Sequence, residues 1–126
     1  MAGLSRYRRW PMSDFLNLMV ETVEGLAVLR LKGKLVYGQN FQPLYDTIAR
    51  LRGEGHQKVV VDLTSVESTD SSGISTLLEI RRIIGEQPGA VILLRPSDRL
   101  RTSLAMIRVS AMFDVIMDEG ELQRPG

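Results

Sequence analysis

The sequence has 126 residues, 44% of them hydrophobic and 25% charged, the make-up of one soluble domain whose folding hides roughly two-thirds of the surface of the unfolded chain. It holds no cysteine and one histidine, His56, which excludes thiolate nucleophiles, disulfides and a multi-histidine metal cage. The net charge of +1 comes from Arg6, Arg8 and Arg9 in an opening stretch without acids, and the remainder carries −2, no electrostatic footprint for nucleic acid or an anionic membrane.

Residues 1–11 place an arginine pair before Trp10 and Pro11 with no apolar stretch behind it, so they do not read as a secretory signal. No window reaches the apolar length of a membrane span. The expectation is a cytoplasmic protein with an N-terminal extension over 1–13, a domain over 14–120 and a polar tail over 121–126.

In chain order, Leu16, Leu18 and Val20 alternate with Asn17, Met19 and Glu21, and Glu24-Gly25 offers a tight turn into Leu26 to Leu31; this predicts a hairpin. Asn40 is placed to cap a helix carrying Phe41, Leu44, Ile48 and Leu51 at helical spacing, with Pro43 tolerated in the first turn. Gly53 and Gly55 close it. Lys58 to Leu63 is apolar on both faces, as a buried parallel strand requires.

A second helix opens near Ser72 with Ile74, Leu77, Leu78, Ile80, Ile83 and Ile84 on one side and Ser72, Ser75, Glu79, Arg82 and Glu86 on the other, ending at Gln87, Pro88 and Gly89. Ala90 to Leu94 reads as another strand. Pro96, Ser97 and Asp98 open a third helix with Leu100, Leu104 and Ile107 facing inward. Val115 to Met117 reads as a last short strand, and one terminal helical turn or a frayed end follows Asp118. Strand and helix alternate from Leu26 onward, the pattern of an α/β sheet with right-handed crossovers.

The strand Val59-Val60-Val61-Asp62 ends in a carboxylate, as in several phosphoryl-transfer folds, but the partner residues are absent. There is no Gly-Lys-Ser/Thr phosphate loop. A receiver-type site needs a lysine after a later strand, and Lys32, Lys34 and Lys58 all precede Asp62. A dehalogenase-like nucleophile needs a second Asp where Thr64 stands. Asp62 therefore reads as a strand-end acid that caps the next turn. His56 has no Ser or Asp arrangement near it and reads as a solvated loop residue. Arg95, Arg99, Arg101 and Arg108 cluster around the third helix, as a solvated face or as an anion or partner site. No catalytic residue, metal or cofactor is expected.

One segment holds more hydroxyls than a helix cap needs: Glu67-Ser68-Thr69-Asp70-Ser71-Ser72-Gly73-Ile74. A hydroxyl at that helix start points at free N–H groups and the positive end of the dipole, where a phosphate is stabilised. The plainer reading is that Ser71 or Ser72 caps the helix. A Gly-x-Ser-x-Gly nucleophile elbow is excluded, because no glycine precedes the serine at that spacing.

At these residues the sequence resembles the STAS domain family, the fold of bacterial anti-sigma factor antagonists. The resemblance runs from Leu16 to about Glu119 through the hairpin, Gly33-Lys34-Leu35, Val59-Val60-Val61-Asp62-Leu63, Asp70-Ser71-Ser72-Gly73-Ile74 and Val91 to Leu94. It implies a single STAS-like α/β domain, a small mixed sheet of four or five strands with helices packed on it. It further implies a non-enzymatic antagonist phosphorylated on Ser71 by an anti-sigma factor serine kinase and restored by a phosphatase, with Asp70, Ser72, Gly73 and Ser75 meeting the partner. The resemblance also admits an accessory subunit of a lipid or anion transporter. Two features depart from the family's pattern: Lys34 and Val36 stand where many antagonists carry acids, and an arginine-containing extension precedes Met12.

Overall fold

The computed structural model describes residues 7–11 and 16–123; the rest of the expected extension and the end of the expected tail lie outside the described residues. Strand β1 (Tyr7–Pro11) pairs antiparallel with β2 (Leu16–Val23), which pairs antiparallel with β3 (Leu26–Leu35). Glu24 and Gly25 join β2 to β3, both at positive φ (50° and 81°), the two-residue turn whose twist suits a hairpin. The parallel strands β4 (Val59–Thr69), β5 (Val91–Leu94) and β6 (Asp114–Ile116) follow, and the sheet runs β1 to β6 in chain order. The expected single α/β domain with a mixed sheet is therefore present. Its sixth strand exceeds the four or five expected because Tyr7–Pro11 adds an edge.

Helices α1 (Gln42–Gly53), α2 (Ser71–Ile84) and α3 (Asp98–Met106) fill the three parallel crossovers. Successive right-handed crossovers in one direction put every helix on the same face. The core agrees: Leu29, Leu31, Val61 and Leu93 of the sheet meet Leu44 and Ile48 of α1, Leu77 and Ile80 of α2, and Leu100 and Leu104 of α3 in one cluster. The opposite face holds a small cluster, Val28, Val60 and Leu94, with Leu122 of a terminal 3-10 turn (Glu119–Gln123) against it.

Local chemistry moves several element ends from their expected places. Phe41, not Asn40, takes the N-cap position of α1, and Asn40 instead accepts from the Gln42 N–H at 3.1 Å. Ile107 was expected inward and is 53% exposed, because α3 ends at Met106 and Val109 packs on the core in its place. Helix α2 stops at Ile84, short of Gln87-Pro88-Gly89.

The difference that positions the functional site is in β4, which runs eleven residues rather than ending at Leu63. Only Val59 to Asp62 pair with β5. Beyond them the strand continues beside β3 alone, through register shifts between Arg30 and Lys32 and between Gly33 and Lys34, until Thr69 lies opposite Leu35. The ends of β3 and β4 therefore finish together, with the start of α2 directly behind them.

Candidate functional site

Asp70 is the residue that turns β4 into α2. Its backbone is extended (φ −116°, ψ −169°), as an N-cap requires, and its carbonyl accepts the first helical bond, from Ile74 at 3.1 Å. One carboxylate oxygen, Oδ1, accepts from the Ser72 and Gly73 N–H groups at 2.9 and 3.2 Å. The other, Oδ2, accepts from the Tyr37 N–H at 2.9 Å, which ties the loop after β3 to the helix start. These bonds hold the Asp70 carboxyl below its ordinary range, the Tyr37 N–H contributing most; burial opposes it, and the N–H groups of Gly73 and Ser72 add to the lowering. The cap is thus Asp70, where the plainer reading had placed Ser71 or Ser72.

Because the aspartate does the capping, the serines are spared. Ser71 is exposed on the first turn of α2, and among the described residues its hydroxyl has no hydrogen-bond partner. Ser72 is half-buried and Ser75 exposed. The Ser72 carbonyl accepts from the Thr76 hydroxyl at 2.9 Å, and Thr76 Oγ1 accepts from the Tyr45 hydroxyl at 3.3 Å, which links this turn to α1. Gly73 is buried: a Cβ there would stand 2.3 Å from the Leu35 carbonyl oxygen and 2.6 Å from Thr69 Cγ2. Only glycine lets α2 settle this closely on the ends of β3 and β4.

The first turn of α2 is a ridge between two grooves. One, of about 440 Å³, is bounded by Glu67, Ser68 and Ser71 on one side and by Ser97, Arg99 and Met106 of the α3 region on the other. The second, about 470 Å³, runs along Tyr37, Phe41, Tyr45, Ser72 and Ser75. Tyr37 and Met106, 84% and 77% exposed, give each groove an apolar lip beside the serines.

The other sequence candidates fall elsewhere. Asp62 lies within β4, not at its end, and no turn follows it, because β3 keeps the chain extended; its Oδ1 accepts from the Thr64 N–H and hydroxyl at 3.0 and 2.6 Å within the strand. Its Oδ2 accepts from Arg30 at 2.8 Å, and Arg30 also binds Glu21 at 3.0 Å and Glu119 at 2.8 Å. The three carboxylates, Glu119 foremost, raise the Arg30 pKa further. Sequence reading missed this cluster, because its members come from four separate segments. His56 lies in the turn after α1, its N–H donating to the Leu51 carbonyl at 3.0 Å.

The four arginines do not form one patch. Arg95 donates to the Met117 carbonyl at 2.8 Å, Arg101 stands 3.8 Å from Asp98, and Arg99 alone lines the groove of Ser71. Among the described residues no cluster of three or more His, Asp or Glu could hold a metal ion, and no helix is long and apolar enough to cross a membrane.

A model of the STAS domain family matches residues 17–122. No curated protein matches the sequence at a significant level. Solved structures do: an anti-sigma factor antagonist from Mycobacterium paratuberculosis superposes with a TM-score of 0.70 at 18% identity, over 92% of this chain and 96% of that one. The phosphorylated form of the Bacillus cell fate determinant SpoIIAA gives 0.60 at 18% identity, over 94% and 98%. A putative anti-sigma factor antagonist from Thermotoga maritima gives 0.66 at 20% identity, over 82% and 89%.

Proposed function

The chain belongs to the STAS domain family, and from that premise we propose that it is a cytoplasmic anti-sigma factor antagonist switched by phosphorylation of Ser71. The unphosphorylated protein occupies an anti-sigma factor serine kinase and frees a sigma factor for transcription. The kinase transfers the γ-phosphoryl group of ATP to Ser71: the Oγ–P bond forms, ADP leaves, and the hydroxyl proton passes to a base on the kinase or to water. A phosphatase hydrolyses the ester and restores the antagonist. Two of the three structural relatives described above are named as antagonists, one of them as putative, and the third is named as a phosphorylated form.

The observation that carries this reading is the free, exposed hydroxyl of Ser71 on a ridge between two grooves, beside an aspartate that already satisfies the helix start. Asp70, Ser72, Gly73 and Ser75 form the partner surface in this reading, Gly73 by setting the height of the ridge and Ser75 by direct contact. A phosphate there adds about −1.5 to −2 charges. Facing a partner across a desolvated interface, that charge costs several kcal/mol, and each 1.4 kcal/mol weakens binding roughly tenfold.

Titration calorimetry against a cognate anti-sigma factor serine kinase tests the switch. Ser71→Ala is expected to bind as tightly as the unmodified protein and to resist phosphorylation, while Ser71→Asp binds weakly. Equal affinities for wild type, Ser71→Asp and phosphorylated protein overturn the mechanism and favour the transporter-subunit role.

A further inference from the structure

A phosphate on Ser71 would meet a helix start at which the Ser72 and Gly73 N–H donors are already engaged. Asp70 Oδ1 holds the Ser72 and Gly73 N–H groups, and the lowered pKa of Asp70 keeps its carboxylate charged. Glu67, from the end of β4, adds a second acid to the same groove. A phosphoserine at this position therefore finds two of the helix-start donors taken and is repelled by two carboxylates, a repulsion that a cation in the groove would offset.

The groove contains one. Arg99, the second residue of α3, lines it opposite Ser71, and no other lysine or arginine among the described residues does. Its neighbour Asp98 is turned to Arg101 at 3.8 Å. Arg99 itself is exposed and has no hydrogen bond or ion pair among the described residues. Around it stand the hydroxyls of Ser68, Ser97 and Ser103. An uncommitted guanidinium facing the acceptor serine is suited to two-pronged binding of a phosphomonoester dianion.

We propose that Arg99 is the residue that holds the phosphate of phosphoserine 71, its guanidinium crossing the groove between α2 and α3 to pair with the dianion. The pairing makes modification alter shape as well as charge: the arginine is drawn over the groove, and the apolar lip of Met106 and Ile107 behind it is screened from a partner. Before modification Arg99 has no structural task, so its removal leaves the unphosphorylated protein intact. This inference rests on the reading that Ser71 is the modified serine.

The test uses full-length protein in which phosphoserine is installed at position 71 during translation, so that no kinase is needed, and follows the second ionisation of the phosphate by 31P NMR. An exposed phosphoserine titrates near pH 6, and pairing with Arg99 is expected to lower that midpoint by about half a pH unit at low salt. Arg99→Gln should abolish the lowering and Arg99→Lys should restore part of it. Both variants should melt like the parent when Ser71 is unmodified. Identical midpoints for the parent and Arg99→Gln overturn the proposal. Failure of the cognate kinase to modify Ser71 overturns the functional reading instead, and leaves the NMR comparison standing.

Discussion

Asp62 and Asp70 lie eight residues apart, one within β4 and one just past its end, and they are held in opposite ways. Asp62 is bound mainly by side chains, with one backbone N–H from Thr64: with Glu21 and Glu119 it shares Arg30, which ties β2, β4 and the terminal 3-10 turn together on the face of the sheet that carries no α-helix. Asp70 is bound by backbone: its carboxylate takes the N–H groups of Tyr37, Ser72 and Gly73. The first arrangement consumes every charge it contains in holding the fold together. The second fixes a helix start and leaves the neighbouring hydroxyl of Ser71 unspent.

The contrast is broken most severely at Gly73. Alanine in a helix ordinarily stabilises it by up to about 1 kcal/mol relative to glycine. Here the added Cβ meets the Leu35 carbonyl at 2.3 Å, and overpacking of backbone against backbone should cost about 3 kcal/mol, measured by urea denaturation. Arg30→Met strips the other centre of its cation; Arg30 is partly exposed, 23% by side chain, so the loss should be about 2 kcal/mol, below the range for fully buried pairs. Asp70→Ala removes one cap and should cost about 1 kcal/mol.

Acidity separates the centres further. A carboxyl held below its ordinary pKa of 3.8 contributes stability that is fully present above that value and is lost as the pH falls through its folded-state pKa. The gap in melting temperature between wild type and Asp70→Asn should therefore stay constant from pH 8 to about 5 and shrink below about 4. The smallest effect is the coupling between centres. They stand about 25 Å apart along the strand, so the costs of Arg30→Met and Asp70→Ala should add within about 0.5 kcal/mol in the double variant.

The sequence exposes those parts of this molecule that depend on near neighbours. The Glu24-Gly25 hairpin, the inward faces of Leu44, Ile48, Leu77 and Ile80, and the Ser97 cap of α3 all follow from residues within one or two turns of each other. Misreadings occur where a distant segment decides. Thr64 to Thr69 has no apolar run to mark it as strand, and becomes one because β3 stands alongside. Asp70 outcompetes Ser71 and Ser72 as the cap partly because Tyr37, 33 residues earlier, offers its N–H to the same carboxylate. Arg99 was one of four clustered arginines, and only the packing of α3 beside the end of β4 singles it out.

The sheet is built in the order in which the chain is written, each strand from β1 to β6 lying beside its predecessor. A nascent chain leaving the ribosome can therefore add each strand to an edge already in place, with no strand left waiting for a partner not yet synthesised. The salt bridge from Arg30 to Glu119 is the exception, spanning 89 residues. It can close only once the last turn has been translated, so it marks the completion of the domain in time as well as in space.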